Sequence, residues 1–98
     1  MDKTQLARIS KALSDPTRLR IYEAIAAGGE MFCGQIVAKY GLTPGTISHH
    51  LKVLADANLI ECRREGQFIY NRSRPEMIRE YGRALTKMAG KTKAASSR

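Results

Sequence analysis

The residues best suited to chemistry lie in one run, Thr43–Asn58, TPGTISHHLKVLADAN, and the chemistry they suit is recognition. Thr43 can N-cap a helix, and Pro44 fits the first helical position, where its missing amide proton costs nothing. Ile47, Leu51 and Leu54 then recur at helical spacing as one apolar stripe. The opposite side carries Gly45, Thr46, Ser48, His49 and Lys52, which are small, hydroxyl-bearing or basic, with no acid until Asp56. A helix that needed only to be soluble would mix charges. One lying against phosphates and base edges needs donors and few carboxylates, so the run reads as the recognition helix of a DNA-binding protein.

A second basic group follows directly. Leu59–Arg64 and Phe68–Arg72 are β-prone runs around Glu65-Gly66-Gln67, which predicts a two-stranded hairpin with a three-residue turn. Its tip region holds Arg63, Arg64, Gln67 and Arg72, suited to a minor groove or its flanking phosphates. A basic hairpin behind such a helix is a wing. Other chemistry is poorly supplied. His49 and His50 are neighbours about 100° apart on a helix and cannot share one metal ion. His50 is expected beside Ile47 and Leu54 as a structural residue with a satisfied ring nitrogen. Cys33 and Cys62 form no CxxC pair, so two free thiols are expected and no metal site. Cys33 begins a helix, which leaves two readings, a small buried residue or a reactive thiol. If Glu30–Phe32 forms a strand against the hairpin, Cys33 and Cys62 approach each other and a redox switch becomes conceivable. No carboxylate pair, nucleophile–base set or glycine-rich phosphate loop is present, so neither an enzyme nor a cofactor is expected.

The elements that must position this surface can be read in order. Leu6, Ile9 and Leu13 give a short amphipathic first helix, stopped at Ser14-Asp15-Pro16. Asp15 caps a second helix, with Pro16 at its first position; Leu19, Ile21, Tyr22 and Ile25 make it apolar on more than one face, and it breaks at Gly28-Gly29. A third runs about Cys33–Tyr40 with Ile36, Val37 and Tyr40 inward, and Gly41 ends it in a left-handed turn. Helix, tight glycine turn and polar-faced second helix are helix-turn-helix geometry. Asn58 can close the recognition helix in the same left-handed way. A last helix starts near Pro75, with Ile78, Tyr81, Leu85 and Met88 as a narrow seam. The expected fold is therefore mainly α, a winged helix-turn-helix of about five helices and a two-stranded hairpin. Its terminal helices carry Leu6, Ile9, Leu13, Ile78, Tyr81, Leu85 and Met88 as a surface for a twin subunit.

Size and charge agree with that reading. The 98 residues allow one domain, assigned to residues 1–89, with 90–98 as a disordered basic tail. A chain this short buries roughly two thirds of its unfolded surface, which makes pairing with a second copy useful. Lys plus Arg number 17 against 9 Asp plus Glu, a net charge of +8 that favours a polyanionic partner. No apolar run approaches ~18 residues and the N-terminus lacks a secretory signal, so no membrane partner and a cytoplasmic location are expected.

LSDPTRLRIYEAI, GLTPGTISHHLKVLADANLI and RREGQFIYNRS together resemble the ArsR/SmtB family of small bacterial winged-helix repressors, over roughly Leu6–Leu85. The resemblance implies a homodimer joined by its terminal helices, bound to a palindromic operator in double-stranded DNA. By position, Pro44, Gly45, Ser48 and His49 match the base-facing part of that family's recognition helix, Thr43 and Thr46 its phosphate-facing start, and Arg64 through Tyr70 its wing. The departures are specific. Many members sense metals through a Cys-x-Cys pair whose places here hold Phe32 and Gly34, with Cys33 between them. Others use Asp and His along the last helix, yet Arg74–Met88 has neither, and only Glu76 and Glu80 as carboxylates. The family's sensing role does not transfer, and no small-molecule inducer can be named. A gated repressor working through Cys33 and Cys62, and a winged-helix module that binds protein, stand as the alternatives to a plain repressor.

Overall fold

The computed structural model describes residues 1–90, so the expected tail beyond Gly90 lies outside the described residues. Five helices and three strands follow one another as α1 (Lys3–Ala12), α2 (Pro16–Gly28), β1 (Glu30–Phe32), α3 (Cys33–Tyr40), α4 (Pro44–Asp56), β2 (Ile60–Glu65), β3 (Phe68–Ser73) and α5 (Pro75–Met88). The local signals for these boundaries hold. Asp15 Oδ1 accepts from the amides of Thr17 and Arg18 at 2.8 and 3.1 Å, starting α2. Thr43 Oγ1 accepts from the Thr46 amide at 3.2 Å, starting α4. Gly41 (φ 65°) and Asn58 (φ 64°) take the left-handed conformation that ends α3 and α4.

The helices enclose an aliphatic core. Ile9, Ile21, Ile25, Ile36, Ile47, Leu54 and Leu59 are each under 2% exposed, and each contributes about 1.5–3 kcal/mol of gross burial free energy. Two expectations are corrected here. Ile9 and Leu6 were assigned to a dimer surface, but Ile9 is fully enclosed by its own chain and has no surface left for a partner, while Leu6 is mostly buried and shows only an edge in the groove between α1 and α5. Leu19 was assigned to an apolar face of α2 and is instead 40% exposed, which narrows the buried stripe of that helix to Ile21, Tyr22 and Ile25.

The wing is larger than a hairpin. β1 pairs with β3, giving a three-stranded antiparallel sheet of order β1-β3-β2 in place of the expected two strands. Met31, Asn71 and Cys62 lie in register across it. Glu65 pairs with Phe68, so the turn has two residues, not three. Gly66 takes φ 61° at the first of them, as a type II′ turn requires. The sheet is fastened to the helices by the Tyr22 hydroxyl on Ser73 Oγ at 2.9 Å and by the Arg74 amide donating to the Leu59 carbonyl at 2.9 Å. α5 rests on α1 through the Ser10 and Tyr81 hydroxyls, 2.8 Å apart.

Candidate nucleic-acid interface

α4 sorts its residues as its pattern dictates. Ile47, His50, Leu51 and Leu54 are buried, whereas Thr43, Pro44, Gly45, Thr46, Ser48, His49 and Lys52 are all exposed. The cap and first turn are preorganised, because the Thr43 hydroxyl also donates to Thr46 Oγ1 at 2.9 Å. Nothing fills the space beside Gly45, so backbone there can approach a ligand closely. Lys52 forms only an exposed pair with Asp56 at 3.5 Å, worth a few tenths of a kcal/mol, and stays available to another anion.

The wing arginines do not behave as one set. Side chains alternate along a strand, and the register places Arg64, Cys62, Ile69 and Asn71 on one face and Arg63, Tyr70, Phe68 and Glu65 on the other. The first face is turned to α4, since Cys62, Ile69 and Asn71 share a cleft with Ser48, Leu51 and Lys52. Arg64 therefore belongs to the sheet face that is turned to the recognition helix, and among the described residues no carboxylate lies within ion-pair distance of it. Arg63 leaves the opposite face, where Glu65 (2.6 Å) and Glu30 (3.1 Å) close on it and Tyr70 lies beneath its guanidinium at 4.9 Å. Arg72 is likewise paired with Glu61 at 2.7 Å. Reading Arg63, Arg64 and Arg72 as one basic cluster overlooked Glu30, which only the β1 pairing brings into reach. Tyr70 is half-buried in an edge-on group with Phe32 and Phe68, on the face away from α4; Gln67 is exposed in the turn.

β1 does bring Cys33 near the hairpin, but with β3 as its neighbour. The side chain of Asn71, fully buried, stands between the thiols: Cys62 Sγ donates to its Oδ1 at 3.2 Å, and its Nδ2 donates to the Met31 carbonyl (3.1 Å) and reaches Cys33 Sγ at 3.7 Å. Both cysteines are free. Burial, and then the neighbouring Cys33, push the Cys62 thiol pKa up.

Two buried polar residues support the ridge from beneath. His50, expected half-buried as a structural residue, is instead buried, and its partner was not foreseen: Arg18, itself buried, reaches His50 Nδ1 at 3.2 Å. In the string TRLR this arginine is indistinguishable from a solvated one. The only hint was its place three residues after the cap Asp15, on the side of α2 that turns inward. Asn71 left no signal either, because a polar residue amid β-prone neighbours reads as a strand's outer position.

A helix-turn-helix with a bare donor ridge, followed by a wing with one unpaired arginine beside that ridge, defines a winged helix-turn-helix DNA-binding domain. Residues 13–63 match the model of a family described as a helix-turn-helix domain. The transcriptional repressor SdpR of Bacillus subtilis is 44% identical over 62 residues, 63% of this chain and 68% of the relative. The transcriptional regulator CmtR of Mycobacterium tuberculosis is 40% identical over 67 residues, 68% of this chain and 56% of its own length. A solution structure from Mycobacterium bovis, the homodimeric winged helix-turn-helix DNA-binding domain of a possible ArsR-family regulator, superposes with TM-score 0.72 at 33% identity, covering 88% of this chain and 78% of that one. The chain belongs to the ArsR/SmtB type of winged helix-turn-helix transcriptional regulators. These are DNA-binding regulators, not enzymes, and no helix among the described residues is long and apolar enough to cross a membrane.

Proposed function

We propose that the chain, folded as one domain over residues 1–89, is a cytoplasmic repressor that binds a palindromic operator as a homodimer. Each α4 enters a major groove, with half-sites about one helical turn apart. Ser48 and His49 read base edges, Gly45 admits close backbone approach, Thr43 and Thr46 bind phosphate, and Lys52 and Arg64 hold the flanking backbone. Arg63 and Tyr70 serve the wing's own structure. The observation that carries the reading is the complete exposure of the ridge from Thr43 to Lys52, free of carboxylates, on a helix whose large apolar residues are all buried or half-buried. The related SdpR and the homodimeric Mycobacterium bovis domain support repression and pairing.

The test is selection of bound duplexes from a random pool, followed by affinity measurements against salt. A defined palindrome is expected. With ~6–10 phosphate contacts, its affinity should fall by about 10³–10⁵ between 50 and 200 mM salt. Recovery of no preferred sequence, or a flat salt response, would refute the reading.

One observation favours a second, gated reading. Cys62, Cys33, Asn71 and Ile69 form one wall of a cleft of about 230 Å³ whose other wall is Ser48, Leu51 and Lys52 of α4. An adduct on Cys62 would fill that cleft and press on the recognition helix. Treatment with N-ethylmaleimide is expected to lower operator affinity at least tenfold in the native protein and to leave Cys62→Ser unchanged, read by anisotropy alongside mass spectrometry. Because the thiol pKa is raised, the reaction should be slower than with a free cysteine and should accelerate as pH rises.

A further inference from the structure

Arg18 is the one buried cation among the described residues, and three elements meet at its guanidinium. Its Nε donates to the Ala12 carbonyl at 2.6 Å, and its Nη2 adds a longer contact at 3.3 Å to the Lys11 carbonyl, which already accepts from the amide and hydroxyl of Ser14 where α1 ends. Its Nη1 points at His50 Nδ1, on the buried side of α4. Asp15 is the carboxylate paired with it, its Oδ2 at 4.0 Å from Nη1 while its Oδ1 caps α2.

A guanidinium has five donors and no acceptor, so His50 Nδ1 must offer its lone pair and the ring proton must sit on Nε2. A proton on Nδ1 would set donor against donor and cation against cation at 3.2 Å. We propose that Arg18 is a positioning residue for the recognition helix, gripping His50 only while that imidazole is neutral, so that DNA affinity falls as protons load His50. The proposal rests on the DNA-binding reading.

The charged groups acting on His50 are Asp15 and Arg18, from the start of α2, and His49 on its own helix; α1, α3 and β2, which also pack on α4, add none among the described residues. Burial lowers the His50 pKa below the ordinary 6.5, Arg18 and His49 lower it further, and Asp15 partly opposes them. The gripped state thus binds fewer protons than the released state. Its advantage is present above about pH 6.5 and is lost as pH falls through the lowered value.

The experiment uses the full chain and the duplex recovered by selection, with affinity measured from pH 8.0 to 5.5 at fixed ionic strength and helix content followed by circular dichroism. His49→Gln leaves His50 as the chain's one histidine. In that background affinity is expected to fall about three- to tenfold, within the tenfold per pH unit that one proton can deliver. Adding His50→Gln keeps an acceptor for Arg18 but removes the proton, and the profile should flatten. Superimposable profiles for His49→Gln and the double variant would overturn the proposal. Nitrogen NMR of the unsubstituted protein decides the matter even where a variant folds poorly. It should show His50 Nδ1 unprotonated at pH 7.5, and a protonated Nδ1 would overturn the grip. Absence of binding to any duplex at pH 8.0 would instead defeat the DNA-binding reading itself.

Discussion

Replacing Ser48 and His49 together by alanine is expected to flatten the protein's sequence preference while leaving much of its affinity for random duplex intact. Both side chains are exposed on the outer face of α4, so the double variant should fold as the native chain does. Each well-made base contact carries about 1–3 kcal/mol of discrimination. Losing both should therefore narrow the ratio of specific to random binding by about ten- to a thousandfold. Arg64→Ala gives the contrasting result. Arg64 belongs to the sheet face turned to α4 and has no carboxylate at ion-pair distance among the described residues, so its loss should weaken all sequences alike and reduce the salt slope by about one. Arg63→Ala should do little to binding, because two carboxylates already hold that charge. Competition titrations at two salt concentrations separate these outcomes. Equal losses on specific and random DNA for the Ser48/His49 pair would show that the ridge does not read bases.

What could be read from the sequence was what short-range chemistry settles. Asp15-Pro16 and Thr43-Pro44 specify helix starts through one side-chain acceptor and one missing donor, and both starts lie where those residues place them. Gly41 and Asn58 mark left-handed ends for equally local reasons. The ridge followed from periodicity within a single helix. Apart from the length of the Gly66 turn, what failed was long-range. Glu30–Phe32 is too short to show alternation, and its strand exists only because β3 offers an edge. Once it forms, it carries Glu30 to Arg63 and places the Asn71 side chain between the two thiols. Ile9 was misplaced because an apolar stripe announces that something covers it without saying what; here its own chain does. Arg18 and His50 are buried polar groups that satisfy each other, and neither residue's neighbours in sequence carry that information.

The second large effect is expected at the terminal helices. α5 is strongly amphipathic yet has no buried residue: Ile78 and Tyr81 are half-buried against the rest of the chain, while Leu85 and Met88 are 42% and 62% exposed. Met1 is 45% exposed and, with Leu6, Ala84 and Met88, lines a groove where α1 and α5 meet. With Ile9 withdrawn into the core and Leu6 showing only an edge in that groove, the surface left for a twin is mainly Leu13, Ile78, Tyr81, Leu85 and Met88. A seam repeated by a two-fold axis would cover Leu85 and Met88 on both copies, which is what an isologous interface requires. Leu85→Glu with Met88→Glu places four carboxylates in that seam across the pair and should yield a folded monomer, measured by sedimentation equilibrium with circular dichroism. Each half-site would then be held alone. Losing the linkage between two recognition helices should weaken binding to the full palindrome by about 10²–10⁴, while leaving affinity for an isolated half-site unchanged. A variant that stays dimeric, or a monomer that binds the palindrome undiminished, would place the interface elsewhere and leave the exposed seam of α5 without a partner.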